Sequence, residues 1–166
     1  MTRENELTLL QQRAEHALAA YDWGMDPQTL SDPIRYVMSL TGKRLRPTLC
    51  LLACKLYGDD ETPALKAAMG LEVFHNFTLL HDDIMDRADT RRGQPTVHRK
   101  WGDSAAILSG DAMLIKSYQL MAEVAEPVAP EVCRLFSRTA LGCARGSSLI
   151  WISSGAPMLP WPITRA

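Results

Sequence analysis

Apolar residues recur every three to four positions along most of this chain, which is the period of an amphipathic helix. The first such face contains Leu7, Leu10, Ala14, Leu18 and Tyr21. It predicts a helix over residues 2–21. No segment alternates convincingly between apolar and polar residues as a half-buried strand does, and no internal repeat is visible. The pattern therefore predicts an all-α chain of helices joined by short loops.

Prolines and glycines mark the boundaries of the next two helices. Asp26-Pro27 predicts a turn, and Ser31-Asp32-Pro33 predicts a helix start, because a capping side chain stands just before a proline. That second helix is expected to end at Thr41-Gly42, with glycine in the C-cap conformation. Pro47 is expected to open a third helix, which closes at Gly58.

Three further helices are predicted up to residue 141, and an irregular tail after it. Pro63 opens a long helix to about Asp83, residues 87–97 form a loop, and helical patterns return at 104–121 and 130–141. Residues 147–154 lack this periodicity, and prolines follow at positions 157, 160 and 162.

Composition narrows the class of protein. With 166 residues, 46% hydrophobic and 22% charged, the chain is long enough for one domain with a core. The net charge of −1 provides no field that would recruit nucleic acid or an anionic membrane. The four cysteines have neither metal-binding nor redox spacing. We therefore expect a cytoplasmic protein without a signal peptide or membrane span.

The segment His81–Asp86 (HDDIMD) carries three carboxylates within little more than one helical turn. Asp82 and Asp86 are four residues apart and share one helix face, where they repel each other and oppose the helix dipole. Mg²⁺ suits such a pair, because it takes one or two carboxylates and completes its shell with water and substrate phosphates. The alternative is a solvated helix end without a function. Because apolar residues precede the segment, holding three aspartates so close to a core would then be costly.

Two basic segments and one histidine could bind the phosphates that such a metal implies. Lys43 and Arg46 stand at a predicted helix start, where backbone N–H groups also favour anions. Arg91 and Arg92 follow the aspartates, and arginine grips phosphate in fork geometry. Taken singly, the first segment is typical of a charged turn and His75 of a core histidine. Together, in this order, they predict a metal-bridged diphosphate site.

These motifs resemble those of the trans-isoprenyl diphosphate synthases, the polyprenyl synthetase family. The matching segments are Gly42–Pro47 (GKRLRP), His81–Asp86, Arg91–His98 (RRGQPTVH) and Ser109–Ala112 (SGDA). The similarity runs from the first helix to Leu141, with Thr41 where the family commonly has a second glycine. It implies an all-α helical bundle of the isoprenoid synthase type, which is usually a homodimer.

The resemblance also implies a reaction and a role for each residue. A prenyltransferase of isoprenoid biosynthesis condenses an allylic diphosphate with isopentenyl diphosphate, whose double bond attacks the allylic carbocation as diphosphate leaves. By position, Asp82 and Asp86 would bind Mg²⁺ with help from Asp83, and Arg91 would hold the allylic diphosphate. The residues implied to hold isopentenyl diphosphate are Lys43, Arg46, His75 and Arg92.

Product length is predicted from the residues just before the aspartates. In the family, bulk at this level closes the pocket for the growing chain, and Phe77 and Thr78 would lie there. This interpretation predicts a C15 or C20 product. Ordinary core packing of Phe77 is the alternative.

The family carries a second aspartate-rich motif in its C-terminal half, and nothing after Asp111 resembles it. We therefore interpret residues 1–141 as the N-terminal half of a synthase domain and 142–166 as a tail outside the family. Codons permitted by residues 143–154 also encode, in a shifted frame, CEGQQSDMDFE, which resembles the family at this point. An out-of-frame tail is thus predicted, with the domain incomplete and its activity absent or impaired.

Two other functions compete with an impaired synthase. The first is a non-catalytic fragment that binds diphosphates or pairs with a full-length synthase. The second is a terpene cyclase, which shares the aspartate-rich helix. The basic loop at Lys43 and the Arg91-Arg92 pair argue against a cyclase, because a cyclase has no second diphosphate substrate to hold.

Overall fold

A computed structural model describes residues 3–24 and 26–153 of the chain, which fold into helices joined by short connections. The helices are α1 (Arg3–Ala20), α2 (Gln28–Ser39), α3 (Leu45–Lys55), α4 (Leu65–Met85), α5 (Val97–Trp101), α6 (Asp103–Ala122) and α7 (Ala129–Ser153). A 3₁₀ turn, Thr62–Ala64, precedes α4, and β1 (Thr90–Arg91) pairs antiparallel with β2 (Gln94–Pro95). The predicted all-α class is confirmed.

Helix α4 is central and packs antiparallel against α6. Gly70 of α4 faces Ser117 and Met121 of α6, whereas Gly110 of α6 faces His81 near the other end of α4. Around this pair lies the main core, whose buried members include Leu18, Trp23, Ile34, Val37, Val73, Leu80, Val97, Met113 and Leu120. A second cluster joins α1, α3 and the start of α4 through Leu10, Ala14, Leu51 and Ala68. The packing against α6 positions the C-terminal end of α4 in the bundle.

We predict that Gly110→Ala destabilises the fold by about 1–3 kcal/mol, because overpacking a tight contact displaces its neighbours. A Cβ at position 110 would overlap the His81 imidazole, 2.6 Å from its Cδ2 atom. That ring already packs edge-on against Phe77, with ring centroids 4.7 Å apart. Urea unfolding measures the loss. Gly142→Ala is the matched control: a Cβ there meets no atom within 4 Å, so helix propensity should make this variant more stable.

The predicted start of α2 is wrong by a full turn. The helix begins at Gln28, after Pro27 in extended conformation, and Pro33 lies inside it. Burial of Pro33 and Ile34 offsets the backbone hydrogen bond that the proline removes. Gly42 is not the C-cap either. Leu40 occupies that position in extended conformation.

Helix α3 also begins earlier than predicted, at Leu45 rather than Pro47. The first four N–H groups of a helix have no intrahelical acceptor, so a proline at the third position costs no hydrogen bond. Arg44 at the N-cap adopts the left-handed conformation and turns the chain into the helix.

The region between α4 and α6 is more ordered than the predicted loop. The sequence did not indicate β1, β2 or α5, because two-residue strands and a five-residue helix are too short to show periodicity. Tyr36 anchors the hairpin by donating a hydrogen bond to the Pro95 carbonyl at 2.7 Å. Thr96 does the same to the Ala88 carbonyl, also at 2.7 Å.

The prediction that the chain loses helical structure after Leu141 is wrong up to Ser153, where α7 ends. Residues 131–153 contain no proline, so the helical backbone hydrogen bonds can form there even though no apolar stripe runs along residues 147–153. The prolines at 157, 160 and 162 lie outside the described residues. The boundary at residue 142 therefore stays a prediction.

Among the described residues, no helix has both the length and the apolar content that crossing a bilayer requires.

Candidate functional site

The C-terminal end of α4 presents two exposed carboxylates on one face. The Asp86 N–H donates to the Asp82 carbonyl at 2.8 Å, so helical geometry continues through Asp86. Both side chains are exposed and stand one turn apart. The helix then ends in a Schellman motif: Arg87 is left-handed with φ of 54°, and the Ala88 N–H donates to the Asp83 carbonyl at 3.0 Å.

This pair fits a hard divalent cation. Partial burial and the charge of Asp86 raise the pKa of Asp82, and Arg91 opposes that shift. A cation bound beside the pair would favour the ionised form of Asp82 and so oppose this shift. Within the described residues, no group of three or more His, Cys, Asp or Glu side chains is arranged to hold a metal. Two carboxylates nonetheless suit Mg²⁺, which completes its shell with water and phosphate oxygens.

Asp83 lies apart from the exposed pair. Its side chain is buried and accepts two bonds from Nε of Arg91, at 2.9 and 3.1 Å, and one from Nη2 at 2.6 Å. This bidentate pair raises the pKa of Arg91. Nη1 of Arg91 has no acceptor in the described part of the chain, and the guanidinium is about one-third exposed. Asp83 thus orients Arg91.

The hairpin carries Arg92 towards the loop after α2. Arg92 and Gly93 form its two-residue turn, with φ values of 54° and 75°, as a type I′ turn requires. The Arg92 guanidinium donates to the Leu40 carbonyl at 3.3 Å. It also covers Gly42, where a Cβ would lie 3.0 Å from Nη1. A side chain at position 42 would therefore press against the Arg92 guanidinium.

A cationic cavity of about 390 Å³ lies between the loop after α2, the middle of α4 and the hairpin. Its lining comprises Thr41, Gly42, Lys43, Arg44, Leu45, Arg46, Glu72, His75 and Arg92. It brings together all four residues predicted to hold isopentenyl diphosphate. Burial lowers the pKa of His75, and the nearby charge of Arg46 lowers it further. The cavity therefore offers a neutral histidine among cations.

An apolar cavity of about 540 Å³ adjoins the cationic one, and the two share Arg46 and His75. Besides these it is lined by Cys50, Ala67, Leu71, Phe74, Thr78, Asp82, Met121, Val132, Leu135, Phe136, Thr139, Ala140, Cys143 and Ser147. Thr78 therefore borders this space. Phe77 does not line it and packs instead against the core and the rings of Phe74 and His81.

Sequence reasoning missed Phe74 and Leu71 as lining residues. Leu71, Phe74, Thr78 and Asp82 recur at three- and four-residue spacing on α4, so they share one face. Phe77, five residues before Asp82, falls on another face. A helical-wheel argument starting from Asp82 would have selected Phe74 and Thr78 together.

Backbone strain concentrates near these cavities. In the described segments, the non-glycine residues with positive φ are Arg44, Arg87 and Arg92. Two of the three line the cationic cavity. Strained backbone persists where the surroundings enforce it, and such positions cluster at functional sites.

Comparison with known proteins identifies the family. The polyprenyl synthetase family profile matches residues 27–151. The chain belongs to the polyprenyl synthetase family. This match continues ten residues beyond Leu141, along helix α7.

Curated and solved members of the polyprenyl synthetase family resemble the chain over about half their length. The geranylgeranyl diphosphate synthase of Methanosarcina mazei is 41% identical over 145 residues, 84% of this chain and 45% of that protein. Geranylgeranyl pyrophosphate synthase 9 of Arabidopsis thaliana is 43% identical over 125 residues, 72% of this chain and 35% of that protein. A crystal structure of a geranylgeranyl pyrophosphate synthase superposes with a TM-score of 0.78 at 42% identity, over 89% of this chain and 44% of that one. This superposition confirms the predicted helical bundle of the isoprenoid synthase type, of which the chain covers a part.

Proposed function

We propose that this chain binds amphiphilic diphosphates and supplies one half of a prenyltransferase site, which joins an allylic diphosphate to isopentenyl diphosphate. The observation that supports this is the junction of two cavities at Arg46 and His75. One cavity is lined by cations, which suit a diphosphate, and the other by apolar side chains, which suit a hydrocarbon. Two substrates could therefore meet at this junction, one with its diphosphate in the cationic cavity and the other with its prenyl tail in the apolar cavity.

The two head groups would meet different cations. Lys43, Arg46, His75 and Arg92 line one cavity and would hold isopentenyl diphosphate. Asp82 and Asp86 would bind Mg²⁺ at the end of α4, and Arg91 would offer its free Nη1 to the allylic diphosphate. The allylic tail would then lie in the apolar cavity, whose lining includes Asp82.

The chemistry of this half-site is electrostatic. Mg²⁺, when bound at Asp82 and Asp86, would offset the negative charge that develops on the departing diphosphate. Arg91 would add a hydrogen bond that strengthens as the leaving oxygen gains charge. The apolar lining would keep water from the allylic cation. Lys43 and Arg46 would hold the second substrate in place for attack.

A C15 or C20 product remains part of this proposal. The relatives named above carry the name geranylgeranyl diphosphate synthase. In this chain Phe74 and Phe136 both line the apolar cavity and contact each other edge-to-face, with ring centroids 5.2 Å apart, so they would limit the tail. Thr78 adds little bulk. Phe74, rather than Phe77, is the aromatic side chain that we now propose for this role.

A second candidate is a non-catalytic partner subunit. The chain spans less than half the length of these relatives. Large apolar side chains are exposed on α6 and α7: Leu108, Ile115, Leu135, Leu141 and Leu149. Such surface favours association with another chain, either a second copy or a full-length synthase. The homodimer and the cytoplasmic location predicted from the sequence stay proposals.

Turnover assays separate the two candidates. The purified chain is incubated with Mg²⁺, isopentenyl diphosphate and farnesyl diphosphate, alone and with a full-length synthase, and prenyl products are measured. Condensation by the chain alone supports a prenyltransferase. Altered turnover only in the mixture supports a partner subunit. Hydrocarbon formed without isopentenyl diphosphate would contradict both.

We predict that isopentenyl diphosphate binding takes up protons through His75. Burial and neighbouring cations lower the pKa of free His75, and a bound anion favours the imidazolium and raises that pKa again. Affinity should therefore increase as the pH falls through the pKa of the bound state. Calorimetry in two buffers of different ionisation enthalpy measures the uptake. His75→Gln should retain only the protonation change of the ligand, and equal uptake in this variant would contradict the role of His75.

A further inference from the structure

A buried ion pair, Arg44 with Glu72, lies at the base of the cationic cavity. Nη1 of Arg44 donates to Oε1 of Glu72 at 2.8 Å, and the two side chains are only 4% and 3% exposed. Nη2 of Arg44 donates to the carbonyls of Met38 and Leu40 at 2.9 and 3.1 Å. Burying two charges is costly unless several hydrogen bonds compensate, as these do.

The guanidinium of Arg44 makes its hydrogen bonds within the protein. Both terminal nitrogens have acceptors, and Nε is buried without an acceptor in the described part of the chain. Arg44 therefore has little left to offer a ligand directly. Arg44 instead affects the cavity through the structure that it holds together. Burial lowers the pKa of Arg92, and the charge of Arg44 lowers it further.

The backbone of Arg44 shapes the loop that carries Lys43 and Arg46. Arg44 is left-handed, with φ of 45° and ψ of 35°, which is strained for a residue with a Cβ. The Thr48 hydroxyl, at 2.7 Å, and the Thr48 N–H, at 3.2 Å, both donate to its carbonyl. This turn lets the residues on either side of Arg44 line one cavity.

The same network joins the other walls of the cavity. Leu40 accepts hydrogen bonds from both Arg44 and Arg92 at the C-terminal end of α2, where cations are favoured by the helix dipole. Oε1 of Glu72 also accepts from Nδ2 of Asn76 at 3.3 Å, one turn further along α4. The ion pair thus links α2, the loop, the hairpin and α4.

We propose that Arg44 and Glu72 are positioning residues, which fix the loop so that Lys43 and Arg46 meet the diphosphate of one substrate. This inference rests on the proposed function, because it concerns the residues that hold the anion-binding side chains of Lys43 and Arg46 in place. The geometry requires the fork of arginine, since one side chain bridges a carboxylate and two carbonyls.

Calorimetric titration of the whole chain with isopentenyl diphosphate tests this, alongside urea unfolding. The informative variant combines Arg44→Met with Glu72→Leu. Replacing a buried ion pair by apolar side chains preserves or raises stability, so this variant should fold. Its affinity should nevertheless fall about tenfold or more, because displaced binding groups lose much of their effect. Arg44→Lys should also bind weakly, because it retains the charge without the fork.

Arg13→Met is the control, since it breaks the Arg13–Glu61 pair, 2.6 Å long, on another part of the fold. It should leave the affinity unchanged. A stable double variant that binds as tightly as the wild type would overturn the positioning role. Full affinity in Arg44→Lys would also overturn it, because charge alone would then suffice. A wild-type chain that binds no isopentenyl diphosphate would overturn the proposed function itself, which is a distinguishable result.

Discussion

Asp82→Asn should abolish Mg²⁺-dependent diphosphate binding and, in the absence of metal, make the protein slightly more stable. Losing even an outer-shell partner of a metal costs 10–100-fold in affinity, so losing one of two direct ligands should cost about 100-fold or more. Asp86→Asn should have a similar effect, because the two carboxylates share one face. Calorimetry with inorganic diphosphate, with and without Mg²⁺, measures the change.

Asp82→Asn should gain stability although it loses diphosphate binding, and the reason is electrostatic. Burial and Asp86 raise the pKa of Asp82 in the folded state, so the folded chain binds more protons than the unfolded chain between the two pKa values. Stability therefore falls as the pH rises through this window, and at pH 7 the ionised carboxylate destabilises the fold. Solvent screening limits the gain from asparagine to about 0.5 kcal/mol.

Asp59→Asn is the matched control, because it removes an exposed carboxylate distant from the end of α4. It should leave both diphosphate binding and stability unchanged. If Asp82→Asn still bound diphosphate in a Mg²⁺-dependent way, the metal assignment would be wrong. A loss of stability in Asp82→Asn would contradict the electrostatic argument.

The spacing of apolar residues was sufficient to predict helices α4 and α6, and the resemblance to the family supplied four of the residues that line the cationic cavity. Helices α4 and α6 carry sustained periodicity, so their bounds came within a few residues of those observed. Lys43, Arg46, His75 and Arg92 were identified by motif, and the structure shows in addition that Arg44 and Arg92 both donate to the Leu40 carbonyl. The motif alone did not indicate this shared acceptor.

The remaining errors come from tertiary contacts that a single sequence does not contain. Pro33 indicated a helix start, but its burial within the bundle allows the helix to run through it. The predicted role of Asp83, which is to assist Mg²⁺ binding, stays a prediction, but its ion pair with Arg91 was not predicted. Its partner Arg91 is brought close by the hairpin, and the pattern gave no signal for that contact.

Asp83→Ala should destabilise the chain and weaken diphosphate binding without changing the affinity of the exposed pair for Mg²⁺. Removing one partner of a buried pair costs 3–5 kcal/mol, and the partial exposure of Arg91 reduces this to about 2 kcal/mol. The freed guanidinium no longer has the two-point grip that aims Nη1, so its contact with a diphosphate should weaken. Asp83→Asn, which retains one acceptor oxygen, should lie between the wild type and Asp83→Ala in both stability and diphosphate affinity.

Asp103→Ala provides the matched comparison, because Asp103 pairs with Arg87 at 2.7 Å with both side chains about half exposed. A solvated pair of this kind contributes about 0–1 kcal/mol, so urea unfolding should separate the two variants clearly. A direct metal ligand and an orienting residue also differ in a separate titration with Mg²⁺. If Asp83→Ala lowered Mg²⁺ affinity as strongly as Asp82→Asn, Asp83 would be a ligand. If only diphosphate affinity fell, its role would be to orient Arg91, because the Asp82–Asp86 face would still be complete.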